Sequence, residues 1–118
     1  MTTRNPLLVD VILALKKASK KNNAAIYAAA ARSLGGHRSR RSEVNVGKIG
    51  RATKNGDKVL VPGKVLGAGD LSHRAVVGAF SFSAASVDKI QKAGGEAVSL
   101  SSLLKKYPEG KGVLLLGG

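Results

Sequence analysis

The sequence predicts an α/β protein, with a helical hairpin at its amino end, an extended basic segment after it, and a platform of short strands and helices. Three observations carry that expectation. Apolar residues recur at helical spacing over the first third of the chain, and beyond about residue 59 apolar runs of strand length alternate with amphipathic stretches. Charge is divided unevenly as well: residues 1–58 hold 13 Lys and Arg against 3 acids, whereas residues 59–118 hold 7 against 4. A length of 118 residues predicts one domain, 1–118, on a prior of roughly 100 to 200 residues per domain. Within it the hairpin should occupy 1–34, the basic segment 35–58 and the α/β platform 59–118.

Asn5 followed by Pro6 starts the first helix, because the Asn side chain caps the first turn and Pro lacks an N–H that would be unpaired there anyway. The helix should reach about Lys20. Leu8, Val11, Ile12 and Leu15 form its inward stripe, and Lys16, Lys17, Lys20 and Lys21 suit the negative end of the helix dipole. Asn22 and Asn23 can cap a second helix from Ala24 to Leu34, with Ile26, Ala30 and Leu34 inward and Gly35 as the stop. A single aromatic on an alanine helix, Tyr27, belongs to packing rather than base stacking.

The segment GGHRSRRSEVN follows, and it places His37, Arg38, Arg40 and Arg41 within five positions. Such a run repels itself and is ordered best against anions. The planar guanidinium fork donates two parallel hydrogen bonds to a phosphate, so these four residues are candidate phosphate contacts. Val44 and Val46 are strand-like, and a short turn or helical piece should come next. Lys48, Arg51 and Lys54 recur at three-residue spacing and would make one basic ridge on a helical turn. Asn55-Gly56 is a strong turn dipeptide, after which Val59 to Val61 should be a strand.

PGKVLGAGDLSHR sets Pro62, Gly63, Gly67 and Gly69 around a short apolar pair, Val65 and Leu66, so the backbone should turn on either side of it. A nucleotide-hydrolase phosphate loop needs Ser or Thr after Gly-Lys, but Val65 stands there. A dinucleotide fingerprint needs Gly where Ser72 stands. Asp70, Ser72 and His73 are triad residue types, yet near neighbours in one loop do not take up the base-orienting geometry. What remains is a Gly-rich turn that, with Lys64, His73 and Arg74, could approach a phosphate closely.

Ala75 to Phe82 reads as a buried strand with Phe80 and Phe82 on one face. Ser83 caps a helix from Ala84 to Ala93, with Val87 and Ile90 inward and Asp88, Lys89 and Lys92 outward; Gly94 and Gly95 stop it. Ala97 to Ser99 should be a strand, Ser101 to Lys106 a short helix, and Val113 to Leu116 a last strand.

A formal charge of +13 and a pI near 10.6 point to a polyanionic partner. The aromatics are Tyr27, Tyr107, Phe80 and Phe82, with no Trp, a poor supply for stacking several bases. The absence of Cys excludes disulfides, thiol nucleophiles and thiolate metal sites. A hydrophobic content of 43% is too high for a disordered tail, and no apolar run approaches the ~18 residues of a membrane span. The opening MTTRNPLLVD does not read as an export signal. No catalysis, cofactor, metal, membrane or small-molecule substrate is expected.

The runs RRSEVNVGKI (40–49), VPGKVLGAGDLSH (61–73), AFSFSAASVDKIQKAGGE (79–96) and SLLKKYPEGKGV (102–113) resemble the archaeal and eukaryotic large-subunit ribosomal proteins of the L-fifteen / L-eighteen-e family. The resemblance runs from about Asn5 to Leu116. It implies an irregular β-β-α superhelical platform preceded by amino-terminal helices, embedded in large-subunit ribosomal RNA, with no enzymatic activity and with His37 to Arg41 against RNA. It further implies neighbouring large-subunit proteins as partners and a cytoplasmic location in the ribosome. The shorter carboxyl end resembles the archaeal type. A small basic chromatin or DNA-compacting protein is the alternative with the same charge and size.

Overall fold

Alternation along one strand organises the molecule. In the computed structural model, which describes residues 6–22, 24–34, 42–110 and 112–116, Val59, Leu60 and Val61 on β2 (Asp57–Leu66) are all fully buried. Side chains alternate along a strand, so Val59 and Val61 join one apolar cluster and Leu60 joins another on the opposite face. A strand buried on both faces belongs inside a parallel sheet with helices on each side. Every strand pairing among the described residues is parallel.

β3 (Ala75–Phe82) lies along one edge of β2, and β4 (Glu96–Ser99) lies outside β3. Two strands share the other edge of β2: β5 (Val113–Leu115) pairs with residues 58–60, and β1 (Ser42–Asn45) pairs with residues 63–66. Between those stretches Pro62 and Gly63 interrupt the β2–β3 register, because Pro has no N–H for the ladder. Val59 to Val61 and Val65-Leu66 are therefore parts of one strand, not separate short strands.

One face carries α1 (Pro6–Asn22), α2 (Ala25–Leu34) and α5 (Leu100–Lys106). Val11, Ile12, Leu15, Ala30, Leu34, Leu100 and Leu103 pack there around Leu60. The other carries α3 (Val46–Ala52) and α4 (Ala84–Lys92), with Val46, Ile49 and Ile90 on Val59, Val61 and Val77. Gly78 lets α5 sit directly on β3, since a Cβ there would come within 2.7 Å of the Leu103 side chain. The expected α/β platform and amino-terminal hairpin are what the chain forms, but the platform does not begin at residue 59. Within the segment expected to be extended, β1, α3 and the start of β2 are already part of it, because β1 pairs with β2.

Tyr27 is fully buried between the hairpin and the sheet, which agrees with its assignment to packing. Its hydroxyl donates to the Tyr107 carbonyl, and burial raises its pKa above the ordinary 10.0. Ser83 caps α4 as expected, accepting from the Ser86 N–H at 3.2 Å. Ser99 caps α5 in the same way, so that helix starts at Leu100.

Three local expectations are corrected. Asn22 does not cap α2; it ends α1, where its side-chain amide donates to the Ala18 carbonyl at 3.2 Å. Phe80 and Phe82 are half-buried and pack on opposite clusters, Phe80 on the hairpin side and Phe82 on the α3–α4 side. They part where the β2–β3 register shifts, between the pairs Val61–Ala79 and Lys64–Ser81. Lys89 turns inward, onto the Gly-rich loop. Asn5, Asn23, Gly35 and the segment with His37, Arg38, Arg40 and Arg41 lie outside the described residues.

Candidate nucleic-acid interface

The connection from β2 to β3 positions the basic side chains. It is only residues 67–74, without a helix, where parallel strands ordinarily need a crossover of about a dozen residues or more. The short loop lies against α3. Gly47 and Gly50, three positions apart on one face of that helix, leave room for it: a Cβ on Gly47 would stand 3.1 Å from the Gly69 Cα, and one on Gly50 would stand 2.9 Å from the Asp70 carbonyl oxygen. Gly69 adopts a φ of 84°, a conformation that costs residues with a Cβ. The Gly47 N–H donates to the Ala68 carbonyl at 3.0 Å, and the Ala68 N–H donates to the Asn45 side chain at 3.2 Å.

With Val46 and Ile49 buried and Gly47 and Gly50 against the loop, Lys48 and Arg51 are left facing solvent on α3. Helical spacing thus makes three stripes, of which the cations occupy the outer one. Lys54 follows in an exposed turn. The Lys54 N–H donates to the Asp57 carboxylate at 2.8 Å, and Gly56 has a φ of 89°, the turn expected of Asn55-Gly56. That turn clamps Arg74: the Arg74 N–H donates to the Asn55 side chain at 3.0 Å, and the Gly56 N–H donates to the Arg74 carbonyl at 2.7 Å.

The structure therefore brings the Arg74 backbone beside the turn that carries Lys54 and that follows α3, the helix of Lys48 and Arg51. Among the described residues no ion pair neutralises these four side chains. Lys64 is exposed but stands apart. It pairs in register with Glu43 and Ser81 beyond the Pro62–Gly63 irregularity, seven positions along β2 from Asp57, or roughly 20 Å at ~3.3 Å per residue. The expected cluster of Lys64 with His73 and Arg74 is not brought together.

His73 is half-buried, with its Nε2 2.7 Å from the Thr53 hydroxyl, which donates to the Ile49 carbonyl at 2.6 Å. A hydroxyl has one proton, so Thr53 accepts from a protonated Nε2. His73 thereby ties the loop to the end of α3. Its partner is Thr53 rather than Ser72 or Asp70, which does not make a triad.

Sequence reading missed Lys89. It was expected to point outward, but its ammonium donates to the Gly67 carbonyl at 2.7 Å and the Gly69 carbonyl at 2.6 Å. Helical periodicity holds no signal for this, because a long side chain on the flank of α4 finds its partners in a loop some 20 residues upstream. The Gly-rich turn is thus held from one side by α3 and from the other by Lys89.

Among the described residues no helix is long and apolar enough to cross a membrane. Residues 39–98 match the family described as ribosomal proteins 50S-L15 and 50S-L18e and the 60S protein L-twenty-seven-A. That stretch contains β1 to β3, the α3 ridge, the Gly-rich loop and Lys89. Over 116 residues the chain is 41% identical to the large ribosomal subunit protein eL18 of Methanothermobacter thermautotrophicus, covering 98% of this chain and 96% of that one. It is equally similar to eL18 of Archaeoglobus fulgidus, covering 98% of this chain and 99% of the relative. To eL18 of Methanoregula boonei it is 39% identical over 112 residues, covering 95% and 93%. These are ribosomal proteins and not enzymes, and the resemblance noted in the sequence extends over nearly the whole chain. On the strength of this full-length similarity and the matched core segment, the chain belongs to the ribosomal protein family that unites 50S-L15, 50S-L18e and the 60S protein L-twenty-seven-A.

Proposed function

We propose that this protein is a structural constituent of the large ribosomal subunit, in the cytoplasm, that binds and stabilises folded ribosomal RNA by neutralising phosphates. The observation that carries the reading is the 41% identity over 98% of the chain to proteins named as large-subunit components. The outward, unneutralised Lys48, Arg51, Lys54 and Arg74 supply the chemistry. Arg38, Arg40 and Arg41, with His37, add a dense cationic run in the sequence, and Lys64 is a separate contact. In this reading His73 contributes by holding the loop to α3. Neighbouring large-subunit proteins are its further partners.

Counterion release sets the test. Each phosphate neutralised steepens the fall of log affinity with log salt by roughly 0.7 to 0.9. Titration of the purified protein on large-subunit ribosomal RNA at several salt concentrations should give a slope of several units. The tagged protein should also cosediment with the large subunit through moderate salt. A flat salt dependence would overturn the phosphate mechanism, and equal preference for duplex DNA in competition would favour the DNA-compacting alternative.

A further inference from the structure

We infer that the outer groove of the α1–α2 hairpin docks a protein segment, an acidic amphipathic helix that seats an apolar side chain beside Leu13. The groove is open and offers about 510 Å³, and Leu13, Lys16, Lys17, Lys20, Ala28 and Arg32 are among its lining residues. Leu13, Lys16, Lys17 and Lys20 recur at the spacing of one helix face, a different face from that of Val11, Ile12 and Leu15 in the core. Leu13 is 57% exposed, the most open of the large apolar residues among those described.

Two properties define the occupant. The floor, made of Leu13 and two alanines, is apolar and shallow, the form in which a pair of helices accepts the apolar stripe of a third. The rim is cationic apart from Ser19: Lys16, Lys17, Lys20 and Arg32 are exposed, and among the described residues no acidic side chain lines the groove and no ion pair engages them. Helix dipoles account for only half of the rim, since Lys20 and Arg32 stand in the last turns of α1 and α2 whereas Lys16 and Lys17 precede the last turn of α1. Charge complementarity therefore selects carboxylates flanking an apolar side chain. An RNA strand satisfies the cations but has no branched apolar group to cover Leu13, so the floor favours a protein.

The test uses the full chain and a labelled peptide of roughly 15 residues, the length at which an isolated helix becomes stable, with Leu at i and i+4 spacing flanked by Glu. Fluorescence anisotropy should show saturable binding by this peptide, with much weaker binding by a scrambled peptide of equal charge. Leu13→Ser should weaken it by about tenfold, as expected for a lost apolar contact, while leaving affinity for a short RNA duplex unchanged. Ala28→Leu, which fills the floor, should do the same, so the inference does not depend on one variant; circular dichroism verifies that both fold. Equal binding of the scrambled peptide, no binding of the patterned one, or a matching loss of RNA affinity in Leu13→Ser would overturn the inference. The peptide measurement needs no ribosomal RNA, so its failure is distinguishable from failure of the rRNA reading.

Discussion

Tyr27 joins the hairpin to the chain that follows α5. Its ring fills the core, its hydroxyl donates to the Tyr107 carbonyl, and Lys58 lies 4.8 Å from the centre of the Tyr107 ring. Tyr27→Phe should keep the packing and lose one hydrogen bond, costing about 1 kcal/mol in urea denaturation. Tyr27→Ala should cost about 3 to 5 kcal/mol by leaving a cavity. On the surface, the Lys106 ammonium donates to the Glu96 carboxylate at 2.8 Å, and that bond lowers the Glu96 pKa below its ordinary 4.5. A carboxyl whose pKa is depressed by folding contributes stability above its unfolded value and loses it as pH falls through the folded one. The Glu96 carboxyl titrated by NMR should therefore have a lower midpoint in the native protein than in Lys106→Met.

The elements convert sequence spacing into a candidate interface. α3 is short, with its core stripe, its glycine stripe and its cationic stripe compressed into Val46–Ala52. If, as proposed, the exposed Lys48 and Arg51 of α3 and Arg74 of the loop contact phosphate, Lys48→Ala, Arg51→Ala and Arg74→Ala should each reduce the salt slope on ribosomal RNA by about 0.7 to 0.9 with little change in melting temperature. Lys89→Met should behave differently. It removes two charge-assisted bonds to the loop, worth roughly 1.5 to 3 kcal/mol each, so stability and affinity should fall while the slope stays nearly unchanged. Gly69→Ala would press a Cβ to 2.7 Å from the Gly47 backbone at a φ of 84°. It should separate the loop from α3 and destabilise by at least about 2 kcal/mol in the same denaturation experiment.

At the scale of the whole molecule, a formal charge of +13 on a chain with a Cα radius of gyration of 13.5 Å means that the free protein works against its own repulsion. Added sulfate should raise its melting temperature more than an equal ionic strength of chloride, because polyvalent anions can seat between neighbouring cations as well as screen them.

Much of the fold was legible from spacing alone. The α1 stripe, the β3 run, the Ser83 cap and the Asn55-Gly56 turn each rest on interactions within a few residues, which periodicity and turn chemistry report directly. The sequence by itself thus determined the class of fold, the strongly cationic balance and, through its motifs, the family. Only the tertiary structure decided that α3 and the Gly-rich loop are one surface, that Lys64 stands apart from Arg74, that Lys89 points inward, and that Phe80 and Phe82 part company. Each of those depends on which distant segments come to lie side by side, and a chain of local preferences holds no record of that until the parallel sheet is assembled.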